Sequence, residues 1–232
     1  MKIVSLNIRH GGGSRIASLI EYLGNSGADV AVVTEFRENS NAQALREALR
    51  KSGFEFFSAA TTKDRENSVC IFSRVPYVAK TYPELTEKNL HRVISAHFSE
   101  LAVYGVYFPQ QEAKAPVFDF FLTGAHSRQV EPHLIIGDYN TGLHYIDETG
   151  ATFHCADKLH AMTAVGYIDC WRSRHPDRKE FTWYSNAGNG FRIDHVFANT
   201  IADHRILDVR YDHSPRELSY TDHSALVVEV GS

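Results

Sequence analysis

The sequence predicts an α/β fold, on three observations. A strand, a stretch with helical spacing and a second strand follow one another before Glu35, as in a parallel pair joined by a crossover helix. The middle third carries five short strand-like runs with turn residues between them, the pattern of antiparallel meander pairing. A further helix then leads into Leu134-Ile135-Ile136-Gly137-Asp138-Tyr139-Asn140, an apolar run that reads as a buried strand ending in Gly-Asp-x-Asn.

The first strand runs from Lys2 to Ile8 with its polar end at Asn7. Gly11-Gly12-Gly13-Ser14 follows, then Ile16, Leu19, Ile20 and Leu23 at i, i+3, i+4, i+7. Ser14 is the expected N-cap and Gly27 the expected stop. The glycine run is no nucleotide-binding P-loop, since no Gly-Lys-Ser/Thr follows it. Asp29 to Thr34 is a near-continuous apolar strand ending at Glu35, and Asn41 to Lys51 a helix with Leu45, Ala48 and Leu49 inward. The five middle runs are Glu55 to Ser58, Ser68 to Ser73, Tyr77 to Tyr82, Arg92 to Phe98 and Leu101 to Phe108. Pro116 opens a helix with Val117, Phe120, Phe121 and Gly124 on one face. Beyond Asn140 come a loop-rich region, a short helix near Leu159 to Val165, an extended Tyr167 to Trp171 and an aromatic strand, Phe181 to Tyr184. Phe191 to Ala198 and Ala225 to Val230 close the pattern. With no repeat, low-complexity tract or linker, residues 1–232 read as one domain.

Composition narrows the class. Hydrophobic residues make up 43% and charged residues 22%, as in globular proteins. A net charge of -4 argues against a protein that coats nucleic acid through a general basic field, though not against local grip on one strand. The concentrated basic stretch, Arg172, Arg174, His175, Arg178 and Lys179, reads as a solvated loop ahead of a phosphate-contacting surface. Cys70, Cys155 and Cys170 form neither a CxxC pair nor a disulfide framework, which fits a reducing compartment. Met1-Lys2-Ile3-Val4 enters a strand directly, and no apolar run approaches the ~20 residues of a membrane span. A cytoplasmic monomer with no membrane partner is the expectation.

Polar residues mark the strand ends: Asn7, Glu35, Tyr107, Asp138, Asn140, Asp194, Asp222 and His223. In a parallel or mixed sheet such ends converge on one rim. Strand alternation points Asp138 and Asn140 the same way, although an Asp/Asn turn explains that pair equally well. Oxygen donors with few nitrogens suit Mg²⁺ or Mn²⁺ over zinc. His223 beside a carboxylate is placed for proton work or for stabilising charge in a transition state. Together these are the parts for metal-assisted attack of water on a phosphate ester.

Six stretches carry a resemblance: Ser5-Leu6-Asn7-Ile8, Val33-Thr34-Glu35, Gly105-Val106-Tyr107-Phe108-Pro109-Gln110, Ile136-Gly137-Asp138-Tyr139-Asn140, Arg192-Ile193-Asp194 and Thr221-Asp222-His223-Ser224. Taken in that order, the chain resembles the endonuclease/exonuclease/phosphatase superfamily, and in its motifs the exonuclease III-type abasic-site nucleases. The resemblance implies a four-layered α/β sandwich, two mixed β-sheets packed face to face with helices outside. It implies Glu35 as main metal ligand with Asn7 and Asp222 beside it, and Asp138 orienting or deprotonating the attacking water. Asn140 would align water and phosphate, His223 would donate to a phosphate oxygen with Asp194 holding its tautomer, and Tyr107 would contact phosphate or leaving group. Arg92, Trp183 and Phe191 are the implied substrate contacts; Phe191 stands where the abasic-site enzymes often carry Trp, and core packing explains Trp183 and its neighbour Phe181 equally well. Each has a structural alternative: a surface turn for Asp222-His223, an ion pair with Arg192 for Asp194, a core role for Tyr107.

The chain departs from the nucleases after Asn7, with Arg9-His10-Gly11-Gly12-Gly13, an opening closer to phosphatase-like members. Asn7 and Arg9 share a strand face in this reading, which brings the Arg9 guanidinium near the metal site to clamp a phosphate. Three functions follow: a Mg²⁺- or Mn²⁺-dependent phosphodiesterase acting on DNA, the same chemistry on a small phosphoester, or a catalytically silent binding relative. The remaining histidines His91, His97, His126, His133, His144, His154 and His160 match no motif.

Overall fold

The computed structural model describes residues 1–60, 66–123 and 131–231. Among these, two six-stranded mixed sheets pack face to face, with helices outside. The first sheet runs β13 (Ile206–Asp212), β14 (Ala225–Val230), β1 (Lys2–Asn7), β2 (Val30–Phe36), β4 (Ser68–Ser73), β3 (Phe56–Ala59). The second runs β5 (Val78–Lys80), β6 (Val93–His97), β7 (Ala102–Tyr107), β8 (His133–Asp138), β12 (Asp194–Asn199), β9 (Tyr167–Asp169). β10 (Trp183–Tyr184) and β11 (Gly190–Phe191) form a separate short ribbon.

Alternation along the strands explains the layering. Ile3, Val30, Val32, Val103, Leu134, Ile136, Val196 and Val228 face inward and form a core between the sheets. Their neighbours Val4, Leu6, Ala31 and Val33 face α1 (Ile16–Asn25) and α2 (Ser40–Lys51). Ile135 and Phe197 on the other sheet pack with α3 (Ala115–Thr123) and α4 (Ala156–Ala164). Each fully buried Val, Leu or Ile stabilises the fold by ~1.5–3 kcal/mol over its exposed state.

Topology places the rim. β1 and β2 are parallel, as are β7 and β8, so all four end on one side. β14 and β4 run antiparallel to that first pair, and β6 and β12 to the second. Their amino ends therefore arrive where the parallel strands finish. Gly137 permits close approach there, since a Cβ on it would lie 1.9 Å from the Val106 carbonyl oxygen.

Several expectations need correction. The middle runs are not one meander: β3 and β4 pair as a hairpin in the first sheet, with β4 against β2, and β5–β7 belong to the second. Ser14 does not cap α1. It lies in a 3-10 turn whose glycines 11–13 all have positive φ, and the helix starts at Ile16 with no side-chain cap. Extended structure after Tyr167 stops at Asp169, whose carboxylate accepts from the Arg172 amide and starts α5 (Cys170–Arg174). The stretch from Phe191 to Ala198 breaks into β11 and β12 because Arg192 turns inward to buried carboxylates. β13 was not expected from the sequence; it is an edge strand with Val209 and Tyr211 buried and Asp208 and Arg210 paired outside. Gly124 and His126 lie outside the described residues.

Candidate active site

The rim brings together residues scattered along the chain. Asn7 Nδ2 donates to Asp138 Oδ2 at 2.8 Å and to Glu35 Oε1 at 3.1 Å, bridging the two sheets. Glu35 reaches this rim through a β-bulge. Strict alternation would turn it to the helical layer with Val33, but the register of β2 against β4 shifts between Thr34 and Phe36. Glu35 takes a left-handed φ of 53°, so it points to the cleft while Phe36 fills the outer core. Bulges re-aim side chains in this way beside active sites. Glu35 Oε2 also accepts from the His10 amide at 2.8 Å and from Asn67 Nδ2 at 2.9 Å.

Asp138, at the end of β8, is 1% exposed. Its Oδ1 accepts from the Asn140 amide at 2.8 Å, so the turn and the convergent pair coexist. Asn140 sits at φ 50°, its Nδ2 2.9 Å from the Phe108 carbonyl and 3.4 Å from Asp138 Oδ2. Gln110 Nε2 donates to its Oδ1, and the buried Lys114 ammonium to its carbonyl. Asp194 is the register partner of Asp138. It accepts from His223 Nδ1 at 2.9 Å, not from Arg192. Thr182 Oγ1 fixes this arrangement by accepting from the amides of Ile193 and Asp194.

The electrostatics follow from burial. Desolvation raises the Asp138 pKa to about 7, with Asp194 and Glu35 adding to the rise and His223 and the Asn140 amide opposing it. Burial alone would lower His223, but the Asp194 charge and hydrogen bond, with Asp138 and Asp222, raise it to about 10. A charged imidazolium thus lies between two carboxylates. Tyr107 is buried and its pKa is raised by desolvation and then by the Glu35 and Asp138 charges. Its hydroxyl accepts from Asn67 Nδ2 at 3.3 Å, and the Arg92 guanidinium lies 4.9 Å over its ring.

A cleft of about 360 Å³ opens on these groups. Glu35, Asn140, Asp222 and His223 line one part, and Trp183, Phe191 and Phe153 an aromatic part. Trp183 and Phe191 pack at 5.6 Å, and Trp183 Nε1 donates to Asp222 Oδ2 at 3.3 Å. Arg9 lies beyond the end of β1 at φ 52°, so no strand face carries it toward Asn7. Its Nε is 3.5 Å from Asp222 Oδ2 with the side chain half exposed. In the basic stretch Arg172 and Arg174 turn inward, to Asp147 and Asp203, while Arg178 pairs with Glu180 at the surface and Lys179 is exposed.

Two groups of donors could hold a cation. Asp138, Asp194 and His223 offer atoms within 4.8 Å of one another. That set is buried and the His223 imidazole already stands among its carboxylates, so it fits a proton relay better. Glu35 and Asp222 present oxygen atoms at the cleft, the donor chemistry of Mg²⁺ or Mn²⁺, and the buried Asn7 donates to Glu35 from behind.

Reading strand ends alone misses His10, Asn67, Gln110, Lys114 and Thr182. Asn67 had a usable signal: it immediately precedes β4, and the start of a strand antiparallel to β2 shares the rim where β2 ends. The others sit in loops or turns whose course the sequence pattern does not give.

Residues 4–223 match the Endonuclease/Exonuclease/phosphatase family. Among solved structures the chain is similar to a variant of the Neisseria 3' phosphatase NExo bound to product DNA hairpin, with TM-score 0.84, 22% identity and 100% of both chains covered. It is similar to the 3'-5' exonuclease NExo from Neisseria meningitidis, with TM-score 0.84, 23% identity and full coverage of both. An AP endonuclease from Archaeoglobus fulgidus gives TM-score 0.81 at 20% identity, again over 100% of each chain. At these identities the likeness is one of fold, and the family rests on the match along the sequence: the chain belongs to the endonuclease/exonuclease/phosphatase family of phosphoester-hydrolysing enzymes.

Proposed function

We propose that this chain is a divalent-metal-dependent phosphodiesterase acting on DNA, at an end or an abasic site. The observation that carries the reading is the Asn7 bridge, which ties the oxygen-rich Glu35 to a buried Asp138 held by the His223–Asp194 pair. Asp138 is the general base for the attacking water, with its pKa near the working pH where such a base is most effective. Asn140 aligns water and phosphate. His223, kept cationic by Asp194, donates to a non-bridging phosphoryl oxygen as charge builds. Tyr107 and Arg92 contact the phosphate or leaving group, and Arg9 meets the flanking phosphate from the Asp222 side. Trp183 and Phe191 wall the sugar or base. Glu35, with Asn7 and Asp222, would hold Mg²⁺ or Mn²⁺, which supplies neutralisation of phosphoryl charge. DNA as the substrate is supported by the likeness to the NExo structure solved with a DNA hairpin.

A small phosphoester is the second reading, favoured by the net charge of -4 and by the inward pairing of Arg172 and Arg174. One assay separates the two. The protein is incubated with Mg²⁺ or Mn²⁺ and an abasic-site duplex, a blunt duplex or a small chromogenic phosphodiester, with Asp138→Ala and Glu35→Ala run alongside. Metal-dependent cleavage of a duplex, lost in both variants, is expected. Turnover of the small ester alone would replace DNA as the substrate, and no turnover on any would leave a silent relative.

A further inference from the structure

The aromatic part of the cleft continues past its mouth. Trp183 and Phe191 lie 5.6 Å apart, Phe191 and Phe153 5.6 Å, Phe153 and His144 6.3 Å, and His144 and Tyr145 6.3 Å between ring centroids. The first four residues are partly exposed, and Tyr145 is 67% exposed. A row of rings therefore leads from Trp183, bonded to Asp222, out to solvent. Tyr145 is an uncommon residue for its place. Its φ of 65° is left-handed, a conformation that a bulky side chain disfavours and that Gly or Asn adopts readily. Core packing does not account for the ring, because most of the residue is in water.

The row is held in place from beneath. Glu148, 1% exposed, accepts from the amides of Thr152 and Phe153 at 2.7 and 3.1 Å, from the Thr152 hydroxyl at 2.6 Å and from His144 Nδ1 at 3.0 Å. Glu148 also forms a β-bridge with Phe191, and the Arg192 amide donates to the Asp147 carbonyl at 2.8 Å, which fastens the loop to the β10–β11 ribbon. Asp147 and Glu148 are the acids of residues 141–154, and both are buried. The outer surface of the loop thus offers rings and no carboxylate of its own to repel a phosphate chain.

We infer that Phe153, His144 and Tyr145 form a stacking surface for the unpaired bases of a single-stranded DNA segment next to the reacting nucleotide. The inference rests on the reading of DNA as the substrate. Bases stack on aromatic side chains where they are unpaired and free to splay out, whereas inside a duplex the neighbouring pairs cover both faces. An overhanging or frayed end therefore gains contacts that a closed duplex does not. Every base has a π face, so such a surface selects strandedness without selecting sequence.

The test uses the full chain carrying Asp138→Asn, so that bound DNA is not cleaved, with Mg²⁺ present. Binding is followed by the anisotropy of a labelled oligo-dA, and of an oligomer with the same phosphates and no bases. The oligo-dA is expected to bind more tightly. Tyr145→Asn, which suits the left-handed backbone, should weaken oligo-dA binding about tenfold, within the range for losing one stacked base, and leave the base-less oligomer unchanged. Tyr145→Phe keeps the ring and the affinity. Equal affinity for the two oligomers, binding of neither, or an unchanged oligo-dA affinity in Tyr145→Asn overturns the inference. An equal loss on a blunt duplex makes the row a duplex contact and overturns it too. If the chain without Asp138→Asn still cleaves a duplex in those cases, the DNA reading stands and the stacking surface alone falls. Turnover of the small phosphodiester and of neither duplex overturns the DNA reading, and the inference with it.

Discussion

Asp138 and Asp169 are both buried carboxylates, on strands that flank β12 on either side, yet their acidities are displaced in opposite directions. Burial alone would raise each. Asp138 does rise, to about 7, because Asp194 and Glu35 add to the effect and the opposing His223 is shared. Asp169 falls well below the usual carboxylate range because the Arg192 guanidinium outweighs its desolvation. Arg192, fully buried, places Nε and Nη2 on Asp147 at 2.7 and 3.0 Å and Nη1 and Nη2 on Asp169 at 3.2 and 2.6 Å. Arg172 adds a bond to Asp147 at 2.7 Å. One cluster is internally compensated and holds the region behind the site together. The other keeps an excess of carboxylate at a cleft, where perturbed acidities mark chemistry.

The sharpest way to break this contrast is to remove one charge from each cluster. Asp138→Asn is expected to lower turnover by about 10²–10⁴-fold, the range for loss of a general base. It should melt at or above the wild-type temperature, because a buried charge held among other carboxylates is gone. A large loss of thermal stability would make Asp138 a structural residue instead. Arg192→Met should do the reverse, costing about 3–5 kcal/mol by leaving two buried carboxylates without their partner. Denaturant unfolding measures this, and a change under 1 kcal/mol would show that the network is dispensable.

Acid should weaken the fold through the compensated cluster. Asp169 and Asp147 both have folded pKa values below their unfolded ones, so the unfolded chain takes up protons first as pH falls. Their stabilisation is present above the unfolded carboxylate value, near pH 4, and is lost progressively below it. Melting temperature followed downward from pH 6 should therefore fall with a slope that Asp169→Asn reduces; equal slopes would remove Asp169 from the account. The smallest effect belongs to Arg9→Ala. Half exposed and paired at 3.5 Å with Asp222, Arg9 contributes no more than about 1 kcal/mol to folding. Its loss should raise KM more than it lowers kcat, and unchanged kinetics would leave Arg9 as surface charge.

Much of this was legible in the residues, for reasons particular elements make plain. The helical spacing of Leu19 and Leu23, and of Leu45 and Leu49, reports burial that the structure bears out. The apolar strand before Asp138 could only be interior, and its polar terminus stands out against that background. β13 was harder to see because an edge strand with one wet face mixes Leu207 and Arg210 with Val209 and Tyr211. The Arg192 network left no trace either. Arg192 lies two residues from Asp194 but pairs with Asp147 and Asp169, because the chain leaves extended structure between β11 and β12 and strand alternation no longer sets the side on which its side chain falls.

Local patterning by itself determined most of the strand and helix content, the inward face of most strands and the identity of the polar residues at their ends, since periodic burial is written into consecutive side chains. Tertiary structure alone decided which of those ends meet, that a bulge turns Glu35 toward the cleft, that His10 comes to rest on it, and that Asp138 and Asp169 acquire opposite acidities. The physical reason is that an ionisable group's energy depends on which charges and how much water surround it, and those neighbours are supplied by strands far apart in the chain.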